Sequence, residues 1–168
     1  MKRHLRRLAA VTAAAMALPL LGASPAGAHW LGYTSVDADK INHQDNTVYD
    51  DARIWATTIW EYSGIIEIHL DVIGAGAPND VEVYDQNAPW ESWAGLYIPE
   101  AVGDDDIVFN SAYMSGYTTA QRRHVALHEF GHALGLGHSY TGQVMQPVVG
   151  SFEYPQPHDQ YSYDYLWG

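Results

Sequence analysis

The alternation of apolar and polar residues predicts several short strands in this chain. The clearest case is 65–72, IIEIHLDV, where apolar side chains occupy every second position for most of its length. Such a period of two is typical of a strand with one buried face. Further strands are expected at 30–36, 81–84, 94–98 and 107–110, and polar turns are expected at 42–46, 74–80 and 103–106.

Three segments have the periodicity or the terminal signals of helices. The first is 48–62, with a predicted buried face of Ile54, Trp55, Thr58 and Ile59. The second runs from 119 to about 134, because Thr118 and Gln121 have the spacing of a capping box. A short third helix is expected at 160–166. A β-rich first half followed by a long helix and a loop-rich end predicts an α+β fold.

The first 28 residues have the pattern of a secretory signal peptide. A basic start (Lys2, Arg3, Arg6, Arg7) precedes an apolar run at 8–22, and small residues at 26–28 form a cleavage site. The alternative, a membrane anchor, is disfavoured because the run is short for a span and contains Pro19. We therefore expect a signal peptide at 1–28 and one domain at 29–168. The product is expected to be extracellular, with no later apolar run able to hold it in a membrane.

Charge and cysteine content narrow the range of functions. Residues 1–28 hold four of the eight Lys and Arg and none of the 20 Asp and Glu, so 29–168 would carry a net charge of −16 with neutral histidines. Such a surface repels phosphate backbones, and no nucleic-acid partner is expected. The run Asp104, Asp105, Asp106 is interpreted as a solvated acidic turn, with a structural calcium site as the alternative. The chain has no cysteine, which excludes thiol-based mechanisms.

The stretch 124–145, HVALHEFGHALGLGHSYTGQVM, carries the most specific chemistry. His128 and His132 are four residues apart, which places both imidazoles on one face of an α-helix, where they can bind one metal ion. Glu129 is turned about 100° from His128. It cannot easily be a ligand, but it can reach a water molecule on the ion, as in the H-E-x-x-H arrangement. His124 is interpreted as a supporting or surface residue.

His138 can join this pair only if the chain turns back after about Leu134. On a continued helix it would lie roughly 15 Å beyond the first ligand. Gly135 stands where the turn is needed, and glycine adopts positive φ at little cost. Three neutral imidazoles leave one tetrahedral position of a zinc ion open to water, which marks a catalytic site. We therefore predict one catalytic Zn²⁺ bound by His128, His132 and His138.

Residues 128–138, HEFGHALGLGH, match the H-E-x-x-H-x-x-G-x-x-H motif of the metzincin metalloproteases. The segment 144–147, VMQP, resembles the Met-turn of that family, in which Met145 would form the floor beneath the metal. The Met-x-Pro pattern and the C-terminal residues 159–168 resemble the matrixin branch. This resemblance implies a metzincin-like zincin domain with a twisted mixed sheet, an active-site helix and a loop-rich C-terminal part.

The resemblance also implies a function for 29–168, that of a secreted zinc endopeptidase catalytic domain. Glu129 is the expected general base for a zinc-bound water. The substrate is expected to be a protein or peptide that binds extended along the strand at 94–98. A side-chain pocket is expected within 147–158, and its proposed lining is Val148, Val149, Phe152 and Tyr154. The protein is expected to act as a monomer.

Two other functions stay open at this point. One is a secreted zinc-binding module without hydrolytic activity, although pure metal binding has no use for Glu129. The other is a zinc hydrolase that acts on non-peptide amides or esters. Two features also depart from the matrixin pattern. No cysteine is present that a propeptide could use to block the metal, and His69 and Asp71 cannot be assembled into a second zinc site from sequence alone.

Overall fold

A computed structural model describes residues 29–62, 64–71 and 79–168. The predicted signal peptide lies outside the described residues, as do the last residue of the strand predicted at 65–72 and most of the turn predicted at 74–80. The elements in chain order are β1 (Lys40–Asn46), α1 (Asp50–Glu61), β2 (Glu67–Leu70), β3 (Val81–Gln86), β4 (Gly95–Ile98), β5 (Asp105–Asn110), α2 (Ser111–Met114), α3 (Thr119–Ala133) and α4 (Pro157–Trp167).

The strands form one mixed sheet in the order β2-β1-β3-β5-β4. The neighbours from β2 to β5 are parallel, whereas β4 pairs antiparallel with β5 and lies at the sheet edge. The strands predicted around 65–72, 81–84, 94–98 and 107–110 correspond to β2, β3, β4 and β5. The predicted α+β class with a mixed sheet is confirmed.

Strand β1 shows that the turn predicted at 42–46 is wrong. The segment is paired on both sides, and Ile41 and His43 are buried. Its polar side chains are accommodated by the buried Arg53, which makes a 2.8 Å ion pair with Asp45 and donates a 3.2 Å hydrogen bond to His43 Nε2. Buried polar groups are tolerated when they are paired in this way, so low hydrophobicity did not reveal the strand.

The strand predicted at 30–36 is also wrong. This segment makes a single bridge, between Trp30 and Leu136, and otherwise runs irregularly along the end of α3. The Ser35 amide donates a 2.8 Å hydrogen bond to the Ala133 carbonyl at the helix end. The segment therefore packs at the C-terminal end of α3 rather than extending the sheet.

Helix α1 has the predicted position but buries a different face. Ile54 and Thr58 are exposed, and Ile54 retains 52% of its accessible surface. The buried face instead carries Ala52, Ala56 and Trp60 and packs against α3. Small alanine side chains allow two helices to approach closely. The contact face therefore could not be identified by looking for the largest and most hydrophobic side chains of α1.

Helix α3 begins and ends close to the predicted positions. The Gln121 amide donates to Thr118 Oγ1 at 3.3 Å and the Thr118 amide donates to Gln121 Oε1 at 3.0 Å, which is the predicted capping box. The helix packs against α1, β4 and β5 around a core that includes Leu127 and Phe130. This packing brings the C-terminal half of α3 beside the edge strand β4.

Helix α4 is longer than the segment predicted at 160–166. Pro157 occupies its first turn, and Gln156 and Asp159 form reciprocal capping contacts. No helix within the described ranges is long and apolar enough to cross a membrane.

Candidate metal centre and cleft

The last two turns of α3 place two imidazoles side by side. The ring centroids of His128 and His132 are 4.6 Å apart, as their spacing on one helical face requires. His132 is buried and His128 is half-buried, so both rings sit at the wall of a cleft rather than on an open surface.

The chain then reverses at Gly135, which adopts φ +88°. The Gly135 amide donates to the His132 carbonyl and the Leu136 amide donates to the Gly131 carbonyl, both at 2.9 Å. These two bonds end the helix as a Schellman motif, with Gly135 in the left-handed conformation. A glycine is needed here because side chains strain a backbone with positive φ. The reversal predicted from the sequence is therefore present.

The N-terminal segment fastens this reversal. Leu31 donates its amide to the Gly135 carbonyl at 2.8 Å, and Gly137 donates its amide to the His29 carbonyl at 2.7 Å. The His29 imidazole also donates to the carbonyl of His138. The backbone that carries His138 is thus held from outside the helix.

The reversal brings the exposed His138 to the two helical histidines. Its ring centroid lies 5.2 Å from His128 and 4.9 Å from His132. One potential ligand atom from each of the three rings lies within 4.8 Å of the others. Within the described ranges, this is the only group of three or more His, Cys, Asp or Glu side chains with such geometry.

Main-chain carbonyls orient the two helical rings. His128 Nδ1 donates to the Val144 carbonyl and His132 Nδ1 donates to the Leu136 carbonyl, each at 2.8 Å. Each bond places the proton on Nδ1 and leaves the Nε2 lone pair free to bind a metal. Together with the imidazole of His138, these two nitrogens fit the donor set that Zn²⁺ accepts in a catalytic site.

Burial keeps these imidazoles neutral, which is the form that binds metal. Burial, followed by repulsion from the neighbouring His132, lowers the pKa of His128 to about 3. Burial also lowers the pKa of His132 to about 4, and it lowers the pKa of His138 to a smaller extent. A cation in this position would not compete with bound protons near neutral pH.

Glu129 is buried between α3 and β4 and lines the same cleft as the three histidines. Burial raises the pKa of its carboxyl to about 8, and the Tyr97 backbone N–H, which hydrogen-bonds to the carboxylate, partly opposes that rise. The cleft has a volume of about 600 Å³ and is bordered by β4. The structure therefore brings the predicted base, the predicted ligands and the edge strand into one cavity.

Met145 is 1% exposed and packs against α3 at Gly131. A Cβ atom at Gly131 would collide with the Met145 sulfur, so α3 and the segment around Met145 leave no space for a side chain at position 131. The turn itself is held by α4, because Asp159 accepts hydrogen bonds from the amides of Val144 at 2.7 Å and Met145 at 3.1 Å.

Sequence reasoning missed Asp159 and Gly95 as supporting residues. The three-residue spacing of Gln156 and Asp159 indicates a helix start, but it does not show that the carboxylate also reaches the Met-turn. Nothing in the sequence around Gly95 shows that Glu129 packs against it. Both contacts depend on how distant segments pack.

Some of the other residues predicted to support or line the site lie at the cleft, and others do not. His124 is buried and its Nδ1 donates to the Phe152 carbonyl at 3.3 Å, which is a supporting position. Val148 and Val149 line the cleft. Tyr154 does not: its ring makes an edge-to-face contact with Trp55 at a centroid distance of 5.5 Å, and the residue lines a different cavity.

The turn predicted at 103–106 is shorter than expected, because Asp105 and Asp106 belong to β5, and these acidic residues gain no support as a calcium site. The Asp105 carboxylate accepts hydrogen bonds from Ser35, Tyr97 and the Glu100 amide at 2.6–2.7 Å. Its oxygens therefore brace the N-terminal segment and β4 within the fold.

The fold resembles those of solved structures. A chain of the GM1-bound form of the ECX AB5 holotoxin superposes with a TM-score of 0.55 and 16% identity, over 77% of this chain and 80% of that one. Myroilysin superposes with a TM-score of 0.50 and 12% identity, over 83% of this chain and 95% of that one. At 16% and 12% sequence identity, these similarities show a shared fold and carry no information about function.

Family membership rests on the sequence. A search of curated proteins finds no match. The family model of the matrixins, Peptidase_M10, matches residues 27–164, which is most of the chain and includes the complete histidine motif and the Met-turn. The resemblance drawn from the motif is thus confirmed, and the chain belongs to the matrixin family of metalloproteases.

Proposed function

We propose that this protein is a secreted zinc-dependent endopeptidase. In this proposal His128, His132 and His138 hold one zinc ion, and Glu129 is the general base. The observation that carries it is the convergence of three imidazole ligand atoms within 4.8 Å in a cleft that also contains a buried glutamate. Membership of the matrixin family supports the same chemistry.

In this proposal, the metal ligands and Glu129 have different roles in peptide-bond hydrolysis. A zinc ion in this site supplies a Lewis acid that acidifies water and polarises a carbonyl group. Glu129 accepts the proton of the attacking water at its carboxylate and passes it to the leaving amine.

An edge strand beside the histidines supports a peptide as the substrate. β4 pairs with β5 on one side, and its residues Gly95, Leu96 and Tyr97 line the cleft. An extended peptide can add to such an edge through main-chain hydrogen bonds. A hydrolase for small amides or esters has no need of this edge, and a metal-binding module has no need of a buried Glu129.

The central experiment is digestion of casein and a peptide library by protein containing residues 29–168. We expect cleavage that a chelator abolishes and that stoichiometric zinc restores. Cleavage of ester or acyl-amide substrates alone would favour the non-peptide hydrolase, and zinc binding without any turnover would favour the binding module.

A matched variant tests the role of Glu129. Glu129→Gln has the same shape, so it should retain the fold and bound zinc while kcat falls by about 10² to 10⁴, the usual contribution of general-base catalysis. Zinc content is measured by atomic emission and folding by circular dichroism. Full activity at unchanged zinc content would remove Glu129 from the mechanism.

The cellular arrangement is part of the proposal. Residues 1–28 act as a signal peptide that is removed on export, and 29–168 form one catalytic domain that works as a monomer. Expression of the full chain in a secreting host should yield a product in the medium whose first residue is His29. Retention of residues 1–28 on the secreted protein would contradict the cleavage site.

A further inference from the structure

Helix α3 and the edge strand β4 approach each other most closely at Gly95. A Cβ atom at this position would lie 2.6 Å from Glu129 Oε1 and 2.7 Å from Glu129 Cγ. It would also lie 2.7 Å from Val125 Cγ1. Real Cβ atoms essentially never approach other heavy atoms this closely, so any side chain here must displace a neighbour.

The neighbours have little freedom to move. Val125 is β-branched and lies inside a helix, where one χ1 rotamer is strongly preferred. Glu129 is buried, and its carboxylate also interacts with the Tyr97 backbone N–H on the same strand. Gly95 itself is fixed by its pairing with Phe109 on β5. Of these groups, the carboxylate arm of Glu129 has the most rotatable bonds and is the one that an added methyl group would displace.

We infer that Gly95 is a positioning residue for Glu129. The missing side chain creates the space in which the Glu129 side chain lies against the main chain of β4. The inference rests on the proposed function, because it assumes that Glu129 acts on the substrate. In this arrangement β4 would both border the bound peptide and orient the Glu129 carboxylate toward it.

The first test is Gly95→Ala in the peptide-cleavage assay. Misplacement of a catalytic group by about 1 Å can lower the rate about 100-fold, so we expect kcat to fall by about 10- to 100-fold with KM changed less than about threefold and zinc content unchanged. Gly116→Ala is the matched control, because a Cβ at Gly116 would meet only the Tyr113 carbonyl oxygen at an ordinary 3.7 Å. An unchanged kcat in Gly95→Ala would overturn the inference.

A double-mutant cycle separates positioning from a general packing defect. In Glu129→Ala both colliding atoms, Cγ and Oε1, are removed, so Gly95→Ala should lower the residual kcat less than about threefold in that background. In Val125→Ala, which relieves only the other collision, the loss caused by Gly95→Ala should persist. Equal losses in the Glu129 and Glu129→Ala backgrounds would overturn the inference, since the effect would not act through Glu129.

A readout that does not depend on turnover completes the design. In zinc-free protein, Gly95→Ala should lower Tm more when residue 129 is glutamate than in Glu129→Ala, and equal shifts would count against the inference. If Gly95→Ala alone does not fold, the comparison is made in the Val125→Ala background. Failure of the proposed function is distinguishable, because it would appear as full activity in Glu129→Gln, whereas failure here leaves that variant inactive and Gly95→Ala active.

Discussion

Replacing Asp159 with asparagine tests how α4 supports the metal centre. The Asp159 carboxylate is 1% exposed and accepts three backbone hydrogen bonds, from Val144 at 2.7 Å, Met145 at 3.1 Å and Gln156 at 2.8 Å. Asparagine keeps the shape but has one acceptor oxygen, so its amide NH₂ group must face at least one backbone N–H. The substitution therefore removes a bond without removing its buried donor.

The expected loss follows from these contacts. A hydrogen bond to a charged group contributes about 1.5–3 kcal/mol, and a buried donor left without a partner adds a further penalty. We expect Asp159→Asn to lower the free energy of unfolding by about 2–4 kcal/mol. For a domain of this size that corresponds to a decrease in Tm of about 10 °C.

The same substitution should weaken zinc binding. Asp159 holds the turn whose Val144 carbonyl accepts the proton of His128 Nδ1, and loss of such outer contacts typically weakens metal binding 10- to 100-fold. Thermal unfolding with and without zinc, together with a competitive zinc titration, measures both effects. Asp164→Asn is the control, because it removes the same charge from an exposed position on the same helix. A Tm for Asp159→Asn within about 2 °C of that control would refute this reasoning.

Two further predictions concern groups behind the site. Burial and the neighbouring Arg53 lower the pKa of His43 from 6.5 to about 4. The unfolded chain then binds the proton more tightly, so the free energy of unfolding should fall by about 3 kcal/mol in total as pH drops from about 6.5 to about 4. Urea unfolding of zinc-free protein should show a shallower pH dependence in His43→Gln, and parallel curves would contradict this assignment. Gly131→Ala should lower the free energy of unfolding by about 1–3 kcal/mol, because its methyl group meets the Met145 sulfur. In Met145→Ala the same change should be neutral or stabilising, since alanine is favoured over glycine within a helix by about 1 kcal/mol; equal losses in both backgrounds would show that Met145 is not the obstacle.

The parts of the fold that the sequence predicts are those with local causes. The alternation at 65–72 and the capping box at Thr118 are set by neighbouring residues. The capping box is present, and the strand is present over the shorter range Glu67–Leu70. The predictions for β1 and for the buried face of α1 are wrong because both depend on partners elsewhere. Arg53 makes a polar strand acceptable in the interior, and α3 makes an alanine face the contact face.

The features of the candidate site also fall into those with local causes, which the sequence predicts, and those that depend on distant segments. The approach of His128 to His132 follows from helix geometry, and the approach of His138 follows from a glycine that permits a reversal. The carbonyl groups of Val144 and Leu136, which orient two of the rings, leave no trace in the sequence because every residue carries a carbonyl. Asp159 and Gly95 could be recognised only once α4 and β4 were seen against α3.

The anchoring of the reversal by residues near His29 has a consequence for the order of assembly. A nascent α3 can present His128 and His132 early, since they are one helical turn apart, but two imidazoles make a weak and unselective chelate. His138 is held in place only after the backbone near Leu31 has docked on Gly135, a contact between segments far apart in the chain. Contacts of this kind form late, because closing a long loop carries a large entropy cost. Tight binding of a cation by all three histidines would therefore indicate that the tertiary structure is complete, and a partly folded chain would not assemble the proposed metal centre.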